Sequence, residues 1–326
     1  MSAEERVYAY SAVLMGSPIL LKLFEHDEAL AARVFRLIKQ YEILLTVNRP
    51  QSEVMSINQA AGLHPVKVSP PVFDLIACAH AASLFPESLF NFTIGPLVKR
   101  WKIGFRGDSI PPAEEIEALL PLTDPRQVLL DKEACTVFLQ QKGMEIDLGA
   151  IAKGYIADRV RDYLQREGVT QALINLGGNI QTLSGPPEET GWGIGLKKPF
   201  AAPDALIGVI NVRGKSVVTS GIYERYFELN NQRYHHILDP RSGYPLDNEL
   251  LSVTVISEDS IEGDIATTLL YGMGVEKGLA YLHTRPELEA IFVTKAGKVI
   301  CSSQRLSSFT LLDSEFQPEI VTDKTV

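Results

Sequence analysis

Cysteine is scarce in this chain. Its 326 residues include three, Cys78, Cys135 and Cys301, and no two lie close together. CxxC metal spacing and a full disulfide framework are therefore excluded, and buried reduced thiols are the plain reading. Long apolar runs are missing too: no stretch reaches the roughly 18 residues that a membrane helix needs. The start, MSAEERVYAYSAVLMG, carries Glu4, Glu5 and Arg6, and Tyr10-Ser11 interrupts its apolar stretch. A secretory signal needs a basic start and a longer apolar run. The expectation is a soluble, cytoplasmic chain without membrane insertion, although a chain trimmed of a leader would read the same.

Excess positive charge is also absent. Lys plus Arg number 31 against 40 Asp plus Glu, a formal charge of −9. Nonspecific nucleic-acid binding rests on clustered Lys and Arg, so no nucleic-acid partner is expected. A nucleotide held by backbone amides and a metal remains compatible. GxGxxG, GxxxxGK[ST], HExxH and GxSxG do not occur, so Rossmann, P-loop, zincin and α/β-hydrolase readings lose their main support.

What is present is ordinary globular composition, 45% apolar and 22% charged, long enough for one large domain or two smaller ones. Residues 7–24 read as two strands bent at Gly16-Ser17-Pro18. Residues 27–45 carry apolar positions at helical spacing, and 52–60 and 70–85 read as further helices, Pro70-Pro71 suiting a first turn. The segment 108–126, with four prolines, reads as a surface excursion, and 127–139 as a hairpin around Asp131-Lys132-Glu133. A helix over 150–167 ends at Gly168, and a strand at Ala172–Leu176 follows. Residues 184–191 read as a loop, 192–257 as short strands, 261–271 and 274–283 as helices, and 289–294 and 298–302 as strands. Strand clusters alternate with long helices without a regular βαβ beat, which predicts an α+β fold with mixed sheets.

Four segments carry chemistry. In Asp147-Leu148-Gly149-Ala150-Ile151-Ala152-Lys153-Gly154, a carboxylate leaves a strand, small residues turn, and a helix begins. Amides at such a start favour an anion. Lys153 stands where the helix dipole disfavours a cation by up to about 1 kcal/mol; a capped helix with a solvated lysine would show the same residues. Asn175-Leu176-Gly177-Gly178-Asn179 suits close backbone approach to a ligand, or a plain turn. Ser220 to Phe227 leads into Tyr234-His235-His236-Ile237-Leu238-Asp239-Pro240-Arg241-Ser242-Gly243. Adjacent histidines on a strand point to opposite faces, so they do not share a metal, and one of them can be a general base. Asp264 and Thr268, at i and i+4, put two oxygens on one helix face. That suits a hard cation completed by water and phosphate; a dipole-favoured Asp and a Thr bonded to a backbone carbonyl would look alike.

Together these segments resemble the ApbE family of FAD:protein FMN transferases. The matching stretches are Met15-Gly16-Ser17, Ser52-Glu53-Val54 to Asn58, Phe92-Thr93-Ile94-Gly95-Pro96-Leu97 with Trp101, Asp147 to Asp158, Asn175 to Asn179, Ser220 to Phe227, His235 to Pro245 and Asp264 to Gly274. They cover nearly all the chain in the family's order. The resemblance implies an ApbE-like (T-fold-related) architecture: a single domain over 1–310 with two lobes and a ligand cleft between two subregions. The polar composition of 311–326 reads as a loosely held tail.

It further implies an enzyme that binds FAD and Mg²⁺, moves the FMN half onto a Thr or Ser hydroxyl of a target flavoprotein, and releases AMP. Asp147 and Lys153 would contact FAD. Met15 and the stretch Asn91, Phe92, Thr93 would line the flavin nucleotide pocket, with Asn48, Gly178, His236 and Ile237 in the same set. The carbonyl of Ala150 and the side chains of Asp264 and Thr268 would hold Mg²⁺, with Thr267 beside them. Oxygen ligands accept Ca²⁺ and Mn²⁺ as well. His236 would be the base for the acceptor hydroxyl. Three positions depart from the pattern: Asn48 where many members have an aromatic, Asn91 where many have Asp, and Ile222 where many have an acid or amide. An amide at Asn48 forgoes stacking of about 0.5–1.5 kcal/mol on a flat ring. It keeps open an FAD pyrophosphatase giving FMN and AMP. A non-enzymatic FAD-binding protein is the third reading.

Overall fold

The computed structural model describes residues 6–184, 191–303 and 309–321. In chain order its elements are β1 (Tyr8–Leu14), β2 (Ser17–Leu23), α1 (Glu28–Leu45), α2 (Glu53–Gln59), β3 (Val66–Lys67), α3 (Pro70–Ser83), α4 (Gly95–Trp101), α5 (Ala113–Leu119), β4 (Val128–Asp131) and β5 (Thr136–Leu139). There follow α6 (Ala152–Arg166), β6 (Ala172–Asn175), β7 (Asn179–Leu183), β8 (Trp192–Lys197), β9 (Leu206–Val212), β10 (Ser216–Gly221), β11 (Tyr226–Leu229), β12 (Gln232–His235) and β13 (Leu250–Ser257). Last come α7 (Ser260–His283), β14 (Glu289–Thr294), β15 (Lys298–Cys301), β16 (Phe309–Leu311) and β17 (Gln317–Ile320). The fold is mixed α and β with several sheets, and no described helix is long and apolar enough to cross a membrane. The chain divides into two compact units, one of residues 1–40, 153–221 and 249–326, the other of 41–152 and 222–248.

The first unit is built on a nine-stranded sheet ordered β1-β2-β6-β7-β10-β13-β14-β15-β17. Every pair is antiparallel except β15 with β17. The β1–β2 hairpin closes on Met15-Gly16, with φ of 52° and 68°; two left-handed residues match the twist of a two-residue hairpin. Ile19, Leu21 and Leu23 alternate inward at 0–3% exposure, each fully buried side chain worth about 1.5–3 kcal/mol. A three-stranded sheet, β16-β9-β8, places Trp192, Ile194, Ile207 and Ile210 in one cluster with Val217, Ile256 and Ile291 of the large sheet. In α7, residue Gly274 (φ 76°, ψ −177°) interrupts helical geometry, and Glu249 Oε1 accepts from the Val275 N–H at 2.7 Å. The two helices expected over 261–271 and 274–283 are thus one element broken at a glycine, its second part capped by Glu249.

The second unit holds the sheet β3-β5-β4, the ribbon β11-β12 and a core of Leu97, Trp101, Ile103, Ile116 and Leu238. Trp101 Nε1 donates to the Gly243 carbonyl at 2.8 Å. Two expectations need correction. The excursion over 108–126 contains α5, because Ile116 finds a buried place (1% exposed) in that core. The tail over 311–326 is not loose throughout: Gln317–Ile320 pairs with Lys298–Cys301, so backbone pairing outweighs its polar composition. Of the loop read over 184–191, residues 185–190 lie outside the described residues.

Candidate active site

In the first unit the chemistry gathers where α6, α7, β6 and β7 begin or end. Lys153, in the first turn of α6, donates from Nζ to Ser17 Oγ at 3.4 Å. A Cβ at Gly177 would lie 3.2 Å from that Nζ and 2.9 Å from Ser17 Cβ. Gly177 also has φ of 70°, so glycine is required by conformation and by space. The Gly178 N–H donates to Asn175 Oδ1 at 3.1 Å, which fixes the turn. Met15 is half-buried at the β1–β2 turn.

Asp264 is 8% exposed, and both its oxygens have protein donors: the Gly154 N–H to Oδ2 at 2.5 Å and Asn179 Nδ2 to Oδ1 at 2.9 Å. Burial is the largest influence on its carboxyl and pushes it up to about 7; the Asn179 and Gly154 hydrogen bonds and the nearby Lys153 pull it back, and Asp158 adds to the rise. Thr268, half-buried, donates from Oγ1 to the Asp264 carbonyl at 3.3 Å. Thr267 is 0% exposed, and its hydroxyl donates to the Asp264 carbonyl and accepts from Ser220 Oγ at 2.9 Å.

A divalent cation fits what these residues offer. The donors on this turn are a buried carboxylate and a hydroxyl, oxygen only, and a positive ion would offset the penalty that lifts Asp264. A hard ion completed by water and phosphate oxygens matches one carboxylate.

In the second unit, Asp147 is fixed by its backbone. Its N–H donates to the Phe92 carbonyl at 2.8 Å, and its Oδ1 accepts from the Gly149 N–H at 2.7 Å. Asn58 pins the preceding residue by donating to the Ile146 carbonyl at 3.0 Å and accepting from its N–H at 2.7 Å. Burial holds the Asp147 carboxyl above the usual range, opposed by the Gly149 amide and by Arg225. Asn91 Oδ1 accepts from the Thr93 N–H at 2.8 Å and from its hydroxyl at 2.6 Å, and Nδ2 donates to the Thr123 carbonyl. The side chains of Phe92 and Thr93 are 1% and 0% exposed. They pack the interior of the unit. Asn48 is exposed, and Ala150 is exposed in the turn before α6.

The histidines separate by role. His235 is buried; its Nδ1 accepts from the Ile237 N–H at 3.2 Å and its Nε2 lies 2.8 Å from the Leu246 carbonyl. That is a neutral ring with both nitrogens engaged by backbone. His236 is half-buried, and its Nδ1 lies 3.2 Å from the Arg225 carbonyl. A carbonyl only accepts, so Nδ1 carries a proton, and in the neutral ring the lone pair is then on Nε2. The Arg225 side chain is itself placed, its guanidinium over the Phe105 ring at 5.2 Å. The segment from Asp239 to Gly243 is a closed turn, Arg241 Nε on Asp239 Oδ1 at 2.9 Å and the Gly243 N–H on the Asp239 carbonyl at 2.8 Å.

The ApbE family profile matches residues 15–292. The chain belongs to the ApbE family. A Klebsiella pneumoniae (strain 342) protein named FAD:protein FMN transferase is 65% identical over 315 residues, covering 97% of this chain and 98% of that one. A Treponema pallidum (strain Nichols) protein of the same name is 32% identical over 332 residues, covering 96% and 92%. The crystal structure of the ApbE protein of Thermotoga maritima aligns with a TM-score of 0.80 at 29% identity, covering 90% of this chain and 96% of that one. For this ApbE-family chain, residue-type reasoning overlooked Asn179, the Gly154 amide and the Arg225 carbonyl. The signal for Asn179 was available: Asn179 and Gln181 put two amides on the same face of a strand, and both are buried.

Proposed function

We propose that this chain transfers the FMN half of FAD to a Thr or Ser hydroxyl of a target flavoprotein, forming a phosphoester and releasing AMP. The observation that carries the reading is the His236 ring, whose Nδ1 is committed to the Arg225 carbonyl. In the neutral ring Nε2 is then the basic nitrogen, and it takes the proton of the acceptor hydroxyl, a poor nucleophile when protonated. The hydroxyl oxygen then bonds to the FMN phosphorus as the bond from that phosphorus to the AMP oxygen breaks. Positioning and charge neutralisation dominate such a displacement. Lys153 offsets phosphate charge from the first turn of α6, and Asp147, Met15, Gly178 and Ile237 contact the dinucleotide. The Ala150 carbonyl, Asp264 and Thr268 would hold Mg²⁺, which when bound neutralises diphosphate oxygens and the leaving group.

The reading is tested by AMP release. With FAD and Mg²⁺, release should depend on an acceptor protein bearing an exposed Thr or Ser. In His236→Gly, FAD should still bind while transfer falls by about 10²–10⁴-fold, the usual contribution of a general base. Wild-type rates in that variant would end the assignment. Rapid release without acceptor would favour hydrolysis of FAD, the alternative that exposed Asn48 keeps in view.

A further inference from the structure

Asp158 is a buried acid (3% exposed) with no part in the chemistry above. It lies on α6 and accepts the first two amides of α7: the Ser260 N–H on Oδ1 at 2.7 Å and the Ile261 N–H on Oδ2 at 2.9 Å. Asp264 on α7 returns the arrangement by accepting the Gly154 N–H of α6. Each helix therefore caps the other's orphan N-terminal donors across the contact between them, a job that a residue of its own chain end ordinarily does. The local cap of α7, Asp259, makes no side-chain cap bond. Its carboxylate is turned to Arg161 at 2.7 Å instead. The clasp is drawn tight at Gly154, where a Cβ would lie 2.4 Å from the Ser260 carbonyl oxygen. Ser260 extends it into the sheet, its Oγ bonding Asn179 Oδ1 at 3.0 Å while Asn179 holds Asp264.

We propose that Asp158 is a positioning residue for the Asp264–Thr268 turn: by seating the start of α7 against α6, it fixes where the Asp264 carboxylate and the Thr268 hydroxyl are presented. The proposal rests on the reading of that turn as a cation site. It predicts that loss of Asp158 weakens cation binding by ten-fold or more, within the 10–100-fold range typical of groups that orient metal ligands.

The test titrates Mn²⁺ alone into the full chain, with free ion counted by electron paramagnetic resonance and Tm measured alongside. Wild type, Asp264→Ala, Asp158→Asn and Glu249→Ala are compared, the last removing the cap at Val275 far from the turn. Wild type should bind one ion and Asp264→Ala should lose it. Asp158→Asn should bind at least ten-fold more weakly, and Glu249→Ala, at a comparable loss of Tm, should bind as wild type does. If Asp158→Asn does not fold, Asp158→Ser, which keeps one acceptor oxygen, is read in the same way. Wild-type affinity in a folded Asp158 variant overturns the proposal while leaving the cation site intact. An equal loss in Glu249→Ala also overturns it, since general destabilisation would then suffice. Equal Mn²⁺ binding by wild type and Asp264→Ala, or none by either, removes the cation site itself and the proposal with it.

Discussion

Asp158 and Asn179 are buried, and polar contacts that join α6, β7 and the start of α7 run through them. Replacing Asn179 by Ala leaves Asp264 Oδ1 without its amide donor and Ser260 Oγ without one of its acceptors. An unsatisfied buried polar group costs about 1–3 kcal/mol, so urea melts should show a loss of at least that size. Asp158 gives a pH signature. Burial is the main cause that raises its carboxyl to about 6 from 3.8. A folded-state value above the unfolded one means its contribution to stability is present below pH 4 and is lost as pH rises through 6. A shift of that size corresponds to about 3 kcal/mol. Metal-free wild type should therefore lose stability across this window, and Asp158→Asn should lose less. Equal slopes in urea melts from pH 4 to 7 would contradict it. At this scale residue type and spacing singled out Lys153 and Asp264, and the family resemblance singled out His236. Residue type alone could not separate His236 from His235, because carbonyls remote in sequence decide which ring nitrogen carries the proton.

Among the elements, the α6–α7 contact has the least tolerance. A Cβ on Gly154 would meet the Ser260 carbonyl oxygen at 2.4 Å and Asp264 Oδ2 at 2.6 Å. Both are held in place, so Gly154→Ala should destabilise by about 1–3 kcal/mol, the usual cost of overpacking, and should disturb the Asp264 turn as well. Gly274 carries a different constraint. Its φ of 76° with ψ of −177° is territory open essentially to glycine. Gly274→Ala should cost about 1–3 kcal/mol in a chemical melt while leaving transfer per folded molecule unchanged. The helices and most strands were legible from periodicity, as was the interruption in α7, which shows in the sequence as two apolar helical stretches parting near Gly274. α5 and β17 were not. Their short segments are rich in proline and charge, and each is stabilised by a partner remote in sequence: the Trp101 core for Ile116, and β15 for residues 317–320.

Across the whole molecule, the residues marked by family resemblance fall in both units. Met15, Lys153, Gly178, Asp264 and Thr268 belong to one; Asn48, Asn91, Asp147, Ala150, His236 and Ile237 belong to the other. Membership of the ApbE family was readable because eight short motifs keep one order over nearly the full length, though none of them decides alone. Which motif residues are buried was not readable, since Phe92, Thr93 and Thr267 become enclosed only when the units fold. The central claim, FMN transfer to a protein hydroxyl, is tested most directly by intact-mass measurement of a candidate flavoprotein after incubation with this chain, FAD and Mg²⁺. The account predicts a covalent gain equal to FMN less one water, located on a single Thr or Ser and missing when His236→Gly replaces wild type. An acceptor of unchanged mass, in a reaction where FAD has nonetheless been split to FMN and AMP, would contradict it.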